Sequence, residues 1–333
     1  MTQIVIIEDS SRYDLGGGQR ITLETISCLQ SEAKNNISLY DVGCGNEFRS
    51  EVLQKNISSN FFNLKSTSRF FYRLPSMVAV ILKSLDASAK IILYPTTTKA
   101  LILAVVVKMF KKETAIVFHQ HYKPAKVFSW LKFFVSTVII PGAIEDYYDK
   151  KTIVITNPIQ ITKSKQQCNE IQPDKITLGF IGSLSSHKGF DMFLGYQKTN
   201  TLNALVAGTG PLKDTTSNNI HYLDYITGQN KGRFYTDIDV LVFPSRVEET
   251  FSLVCFEALF NYNPVVCFDI GYPAKIVKKY NVGVVAKSFT SEALNDAVQE
   301  CIANIEMLSL NCEKVIMDFD GNNYCNDLHA VFK

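Results

Sequence analysis

Short apolar runs separated by mixed polar segments set the rhythm of this chain. "IVIIED", "SLYDV", "KIILYP", "AIVFHQ" and "TIVIT" occupy the first half; "ITLGFIG", "ALVAG", "VLVFPS", "PVVCFD" and "VGVVA" occupy the second. Runs of this length with few alternating polar positions predict strands buried on both faces, as in a parallel sheet with helices on either side. The expected fold class is therefore α/β, doubly wound. The series restarts after residues 155–175, "ITNPIQITKSKQQCNEIQPDK", a polar stretch with two prolines that reads as a linker. Two Rossmann-like domains of similar size are expected, 1–162 and 163–333, with a hinge near residue 165 and a last helix able to pack back on the first domain. Ligands of open α/β sheets bind at the carboxyl ends of the strands. Residues just after strands are thus the candidates, and two such domains facing each other would enclose one cleft.

A chain of 333 residues exceeds what one core usually supports, in keeping with two domains. The eight cysteines (Cys28, Cys44, Cys168, Cys255, Cys267, Cys301, Cys312, Cys325) form no C-x-x-C pair and have no histidine at ligand spacing. They are expected to be reduced thiols of a cytoplasmic protein without structural zinc. The opening "MTQIVIIEDSS" reads as a first strand and not as a signal peptide. The longest apolar runs, "ALILAVVVKMF" and "FFVSTVIIPGA", are too short to cross about 30 Å of hydrocarbon as a helix. Charge is uneven: residues 1–160 carry 19 Lys+Arg against 13 Asp+Glu, and the remainder 15 against 19. Nine lysines and two acids lie in residues 83–132, where "YKPAKVFSWLKFFVS" mixes lysines with Phe128, Trp130, Phe133 and Phe134. That segment is either a core-packing helix with a solvated lysine face or one that meets an anionic membrane surface. No nucleic-acid partner is expected, because the basic residues belong to no recognisable reading motif.

Several turns after strands carry candidate chemistry. Gly16, Gly17 and Gly18 precede a helix expected near Gln19, so backbone amides and the positive helix end there suit a phosphate. Lys188 in "GFIGSLSSHKGFD" stands where a point charge could neutralise phosphate, although taken alone a surface lysine is the better reading. "AGTGPL", with Gly208 and Gly210, and "DVGCGNE", with Gly43 and Gly45, each lack the rest of a dinucleotide fingerprint, which leaves an NAD-dependent oxidoreductase without support. Asp237 and Asp239 have D-x-D spacing but precede a strand, at its amino end, and are rejected as a metal site. "RVEETFSLVCFEALF" places Glu249 before a helix expected to start near Phe251 or Ser252, and Glu257 within it. The amides of Thr250 to Val254 lie between the two acids. One short element can then hold an anion on its amides while two carboxylates accept hydrogen bonds from hydroxyl groups, the layout of a nucleotide sugar.

Glu249-x7-Glu257 followed by "ALFNYNPVV" resembles the signature of family 4 retaining glycosyltransferases of the bacterial cell-surface polysaccharide type, which have the GT-B fold. "GGGQR", "ITNPI", "GFIGSLSSHKGFD", "AGTGPL" and "DVLVFPS" extend the similarity along nearly the whole chain. The resemblance implies transfer of a hexose from a UDP- or GDP-sugar to a saccharide or lipid-linked acceptor in polysaccharide or lipopolysaccharide synthesis, without cofactor or metal. It implies that Glu249 contacts the donor sugar and Glu257 the ribose. Lys188 and the amides from Phe251 through Ser252 and Leu253 to Val254 would hold the diphosphate. Gly17 and Gly18 would approach it from the other domain, and Gly210 would line the donor site. A histidine near the transferred sugar is His119 or His121, with His121 preferred. Relatives often have arginine at Ser183, which shifts phosphate neutralisation to Lys188 and Arg246. They usually have Gly-Phe-Gly where this chain has Thr250, Phe251 and Ser252. Those departures are the only support for an alternative, a non-catalytic GT-B partner or nucleotide-sugar-binding protein. The implied location is the cytoplasm, on the inner face of the plasma membrane if the membrane contact holds.

Overall fold

The computed structural model describes residues 1–10, 15–32, 34–43, 45–64, 67–121, 126–142, 151–159, 176–216, 218–319 and 323–332. The hinge expected near residue 165 lies outside them, as do Cys44, Cys168, Lys123 and the side chains of Lys126 and Phe128. The chain divides into two units, one of Met1–Pro158 with Asn323–Lys333 and one of Ile159–Asn322.

The first unit runs β1 (Thr2–Glu8), α1 (Gly17–Gln30), β2 (Asn35–Asp41), α2 (Asn46–Gln54), β3 (Ser58–Phe61), α3 (Thr67–Ser84), β4 (Lys90–Pro95), α4 (Thr98–Phe110), β5 (Ala115–His119), a 3-10 segment (Lys126–Phe134), β6 (Thr137–Ile140) and β7 (Thr152–Val154). Its sheet has the order β3-β2-β1-β4-β5-β6-β7, and its strand pairs are parallel. Strand β1 is central because Ile4, Val5, Ile6 and Ile7 are all fully buried, and both faces of such a strand must be covered. Helix α1 packs beside it on β2 and buries Ile21, Thr25, Cys28 and Leu29, which recur at helical spacing.

The second unit runs β8 (Thr177–Ile181), a 3-10 turn (Ser186–Lys188), α5 (Phe190–Thr199), β9 (Asn203–Ala207), β10 (Ile220–Tyr222), α6 (Gly228–Asp237), β11 (Val240–Phe243), α7 (Leu253–Phe260), β12 (Val265–Phe268), α8 (Gly271–Tyr280), β13 (Gly283–Ala286), α9 (Ser291–Ala303) and α10 (Ile305–Phe319). Its sheet order is β10-β9-β8-β11-β12-β13, again with parallel pairs. Two buried clusters serve this sheet. One is centred on Phe180, Phe190, Phe193 and Leu294, and the other on Phe234, Leu241, Phe256 and Cys267.

Parallel neighbours need crossovers, and crossovers are right-handed. Winding outward in both directions from the centre therefore puts the helices on opposite faces, and the reversal opens a crevice at the strands' carboxyl ends. It falls between β1 and β4 in the first unit and between β8 and β11 in the second.

The last helix, α11 (Tyr324–Phe332), belongs to the first unit and packs on α1. There Cys28 and Cys325 form a disulfide, with Cα atoms 5.1 Å apart and a sequence separation of 297. This corrects the expectation of eight reduced thiols: two helices far apart in sequence bring the sulfurs together, which cysteine spacing cannot reveal. Cys255, Cys267, Cys301 and Cys312 are buried thiols outside any disulfide. Among the described residues no helix is long and apolar enough to cross a membrane.

Candidate functional site

In the second unit the loops after β8 and β11 meet at the winding reversal. The 3-10 turn ends on Lys188, and the loop after β11 carries Ser245 through Glu249 to Ser252. The two loops are stitched through their backbones, the Arg246 amide donating to the His187 carbonyl at 3.0 Å. The Arg246 guanidinium reinforces the seam with a fork on Asp191 (2.9 and 2.8 Å) and a bond to the Ser186 carbonyl (2.6 Å). Across it the Lys188 ammonium forms an ion pair with Glu249 Oε1. Both side chains keep partial access to solvent, 28% and 14% exposed.

Backbone geometry holds Glu249 from behind. Its carbonyl accepts from the Tyr272 amide at 2.8 Å. Gly271, at φ +70, lies so close that a Cβ there would stand 2.7 Å from both the amide nitrogen and the carbonyl oxygen of Glu249. Gly210 has a similar reason to be glycine, since a Cβ would approach the Leu184 carbonyl oxygen to 2.4 Å. That contact presses the loop after β9 onto the loop carrying Ser183, whose hydroxyl accepts from Ser185 at 3.1 Å.

Helix α7 begins at Leu253, slightly later than the sequence suggests. Its N-cap, Ser252, has φ +71 and ψ 91, a conformation costly for a residue with a Cβ. The Ser252 side chain makes no cap hydrogen bond, and the amides of Leu253 and Val254 are among the first-turn donors that have no partner within a helix. Phe251 is 2% exposed and stacks on Phe256 with centroids 4.1 Å apart, so it presents backbone, not ring, to the loop's outer side. Thr250 is buried beside it.

Glu257 lies a turn into α7 and is 5% exposed. Its two oxygens are held from α6, by Lys231 Nζ at 2.5 Å and by the Tyr235 hydroxyl at 2.7 Å. Sequence reasoning missed both partners. The available signal was their i, i+4 spacing, which puts a cation and a hydroxyl on one helix face. Asp239 stands at the amino edge of β11, where its carboxylate accepts from the Thr177 amide at 2.9 Å.

In the first unit Gly16 is the N-cap of α1, and its amide donates to the Gln19 side-chain oxygen at 3.2 Å. Gly17 opens the helix, and a Cβ on Gly18 would have His121 Cδ2 as its nearest neighbour, at 3.8 Å. His121 and His119 lie ring to ring, centroids 4.1 Å apart, and the Tyr94 hydroxyl reaches His119 Nδ1 at 2.7 Å. Burial holds His119 well below the usual imidazole range, and burial pushes His121 down to about 4. Both rings are therefore neutral at pH 7, with hydrogen-bonding capacity but no charge. The glycine loop and the histidine pair thus form one constellation at the carboxyl edge of β1, β4 and β5. Sequence reasoning missed its floor, Glu8, although an acid ending the first strand just before a glycine loop was visible in "IVIIED".

Over its whole length the chain has the fold of solved glycosyltransferase structures, two Rossmann-like units of the GT-B class. Anabaena HepE (Alr3699) in complex with UDP is 17% identical, with 100% of this chain and 99% of that chain covered at a TM-score of 0.79. Sucrose-phosphate synthase from Thermosynechococcus elongatus is 14% identical, with 100% and 98% covered and a TM-score of 0.77. The lipopolysaccharide outer core galactosyltransferase WaaB, in its apo form, is 13% identical, with 99% of each chain covered and a TM-score of 0.70. Residues 161–311, most of the second unit and both ends of the Lys188–Glu249 pair, match the family model "Glycosyl transferases group 1". No curated protein sequence matches the chain significantly.

Proposed function

We propose that the protein is a retaining, metal-independent family 4 glycosyltransferase that moves a hexose from a nucleotide-diphosphate sugar to a saccharide or lipid-linked acceptor of surface polysaccharide or lipopolysaccharide. The observation that carries this is the Lys188–Glu249 pair, set at the winding reversal of the unit that matches the glycosyltransferase family model. UDP is the favoured nucleotide, because HepE has been solved with UDP and with UDP-glucose. Lys188 and the first-turn amides of α7 receive the diphosphate, whose charge grows as the glycosidic bond breaks. Glu249 then exchanges its lysine partner for donor-sugar hydroxyls. Neutral His121 and His119 act in the first unit as hydrogen-bonding groups beside the glycine loop. Transfer proceeds on one face of the sugar, with a leaving phosphate oxygen assisting removal of the acceptor proton. A fixed ammonium takes the role that a cation would otherwise serve, and the D-x-D carboxylate at Asp239 is engaged by backbone at the opposite edge. No observation favours the non-catalytic alternative. Ser252 keeps a strained backbone beside the α7 amides, as residues at working sites often do.

Incubation with UDP- and GDP-sugars in EDTA, followed by NMR of the product, tests this reading. Transfer with the donor's anomeric configuration retained is expected. An inverted product, or activity only with added divalent metal, would contradict it.

The acceptor side adds a membrane contact to the proposal. The C-terminal end of α4 and the adjoining 3-10 segment expose Met109, Phe110, Trp130 and Phe133, and Phe133 is 84% exposed. Lys111, Lys112 and Lys132 accompany them, with Glu113 the nearby acid. Apolar side chains rimmed by lysines fit an anionic bilayer surface. The protein is expected to co-sediment with phosphatidylglycerol vesicles and not with phosphatidylcholine vesicles, and Phe110→Ser/Phe133→Ser should weaken that binding about tenfold. Equal indifference to both lipids would remove the membrane from the account.

A further inference from the structure

Helix α11 returns to the first unit from the far end of the chain, and residues from both its ends converge on Tyr94 of β4. Tyr324 and Phe332 are buried there. The Phe332 ring is tilted against that of Tyr94 with centroids 5.6 Å apart, and the Tyr324 and Tyr94 hydroxyls are hydrogen-bonded. Two links to α1 fasten the helix: the Cys28–Cys325 disulfide next to Tyr324, and His329, whose Nε2 donates to the Cys28 carbonyl at 2.8 Å. Tyr94 is fully buried, and its hydroxyl meets His119 Nδ1. His119, 0% exposed, lies in turn against the ring of His121, the member of the pair that neighbours Gly18.

The hydroxyl groups have a direction, set from the α1 end. The Thr25 hydroxyl has one hydrogen and donates it to the Ile21 carbonyl at 2.8 Å. Tyr324, whose hydroxyl oxygen is 2.6 Å from that of Thr25, therefore donates to Thr25 and keeps its own lone pairs for Tyr94. Two arrangements remain for the Tyr94 hydrogen. Donated to His119 Nδ1, it would force the ring hydrogen onto Nε2, which is buried and has no hydrogen-bond partner among the described residues. An orphaned buried N–H is rare in native proteins, and it carries a desolvation cost. Donated to Tyr324, it leaves the Tyr94 oxygen to accept from Nδ1–H at 2.7 Å, and every hydrogen from His119 to the Ile21 carbonyl then has an acceptor.

We infer that the C-terminal helix positions the histidine pair: through Tyr94 it fixes His119 as the Nδ1–H tautomer and holds that ring as the backing against which His121 stands beside the glycine loop. Tyr94, Tyr324 and Phe332 act through His119 and are positioning residues. The inference rests on the proposed function only in treating His121 as part of the transfer site.

Imidazole nitrogen NMR of the full chain, labelled at its five histidines and assigned with single His→Gln variants, tests it near neutral pH. The wild type should show His119 as one form, with hydrogen on Nδ1 and a bare Nε2. Tyr94→Phe removes the acceptor while keeping the ring and should populate both tautomers. Phe332→Ala, which withdraws the helix's support from Tyr94, should do the same, and Phe332→Leu should restore the single form. In sugar transfer Tyr94→Phe should lower kcat about tenfold with KM little changed, as a misplaced group does. A wild-type ring carrying its hydrogen on Nε2 overturns the inference, and so does a single Nδ1–H form that survives in Tyr94→Phe or in Phe332→Ala. Mixed tautomers in Tyr94→Phe with kcat at the wild-type value also overturn it, since the pair then plays no part in transfer. The spectra separate it from the functional reading: the expected tautomers in a wild type that transfers no sugar from any donor would support the positioning and remove the transfer reading.

Discussion

Glu249→Gln should lower kcat/KM for sugar transfer by at least about 10²-fold, with Lys188→Ala losing a similar factor, as removal of one preorganised charged group typically does. In the resting protein the two side chains satisfy one another. On the proposed reading, donor binding inserts hydroxyls and phosphate between them, and each group would gain its full contribution only as charge moves to the leaving diphosphate. The variants should differ in how they fail. Lys188→Ala leaves a carboxylate beside the incoming phosphate and should raise KM as well as lower kcat. Glu249→Gln keeps the ammonium and should act mainly on kcat. Because the pair is partly solvated, its loss should cost no more than about 1 kcal/mol of stability. A rate loss below about threefold in both variants, with the fold intact, would exclude the pair from the chemistry.

Glu257→Ala should have the opposite profile, a large loss of stability ahead of any specific loss of function. The change leaves the Lys231 ammonium, 18% exposed, without its buried counter-ion and removes the Tyr235 acceptor. Breaking a buried pair from one side costs about 3–5 kcal/mol, which for a unit of this size lowers the melting temperature by on the order of 10 °C. Removing both charges with Lys231→Met/Glu257→Gln should recover part of it. Calorimetry of the three proteins checks this, and a fall of under about 2 °C in Glu257→Ala would show that the α6–α7 link carries little. Donor-binding comparisons with Glu257 variants must therefore be made well below their unfolding range.

The central strands were legible because they are buried on both faces and read as continuous apolar runs. Strands β3, β6 and β10 were not: β6 lies hidden within the longer apolar run "FFVSTVIIPGA". "SSNF" and "IHY" lie at sheet edges, are short, and have no apolar signature. The segment from Lys126 to Phe134 is a 3-10 helix, although its composition suggested an ordinary amphipathic one. At the site, the sequence singled out Lys188 and Glu249 separately, yet the contact between them spans 61 residues and depends on two loops meeting at one sheet edge. The disulfide and the Lys231 and Tyr235 clasp on Glu257 are of the same kind. Each joins residues that local pattern treats as unrelated and only packing brings together. Ser252 is a different case: its departure from glycine was visible in the chain, but its cost appears only with the positive φ.

The most direct test of the central claim is calorimetric titration of wild type and Lys188→Ala with a panel of UDP- and GDP-sugars in EDTA. The account predicts saturable binding of one nucleotide class by the wild type, weakened at least about tenfold in the variant, the equivalent of one lost charged contact. Binding that Lys188→Ala leaves unchanged would contradict it.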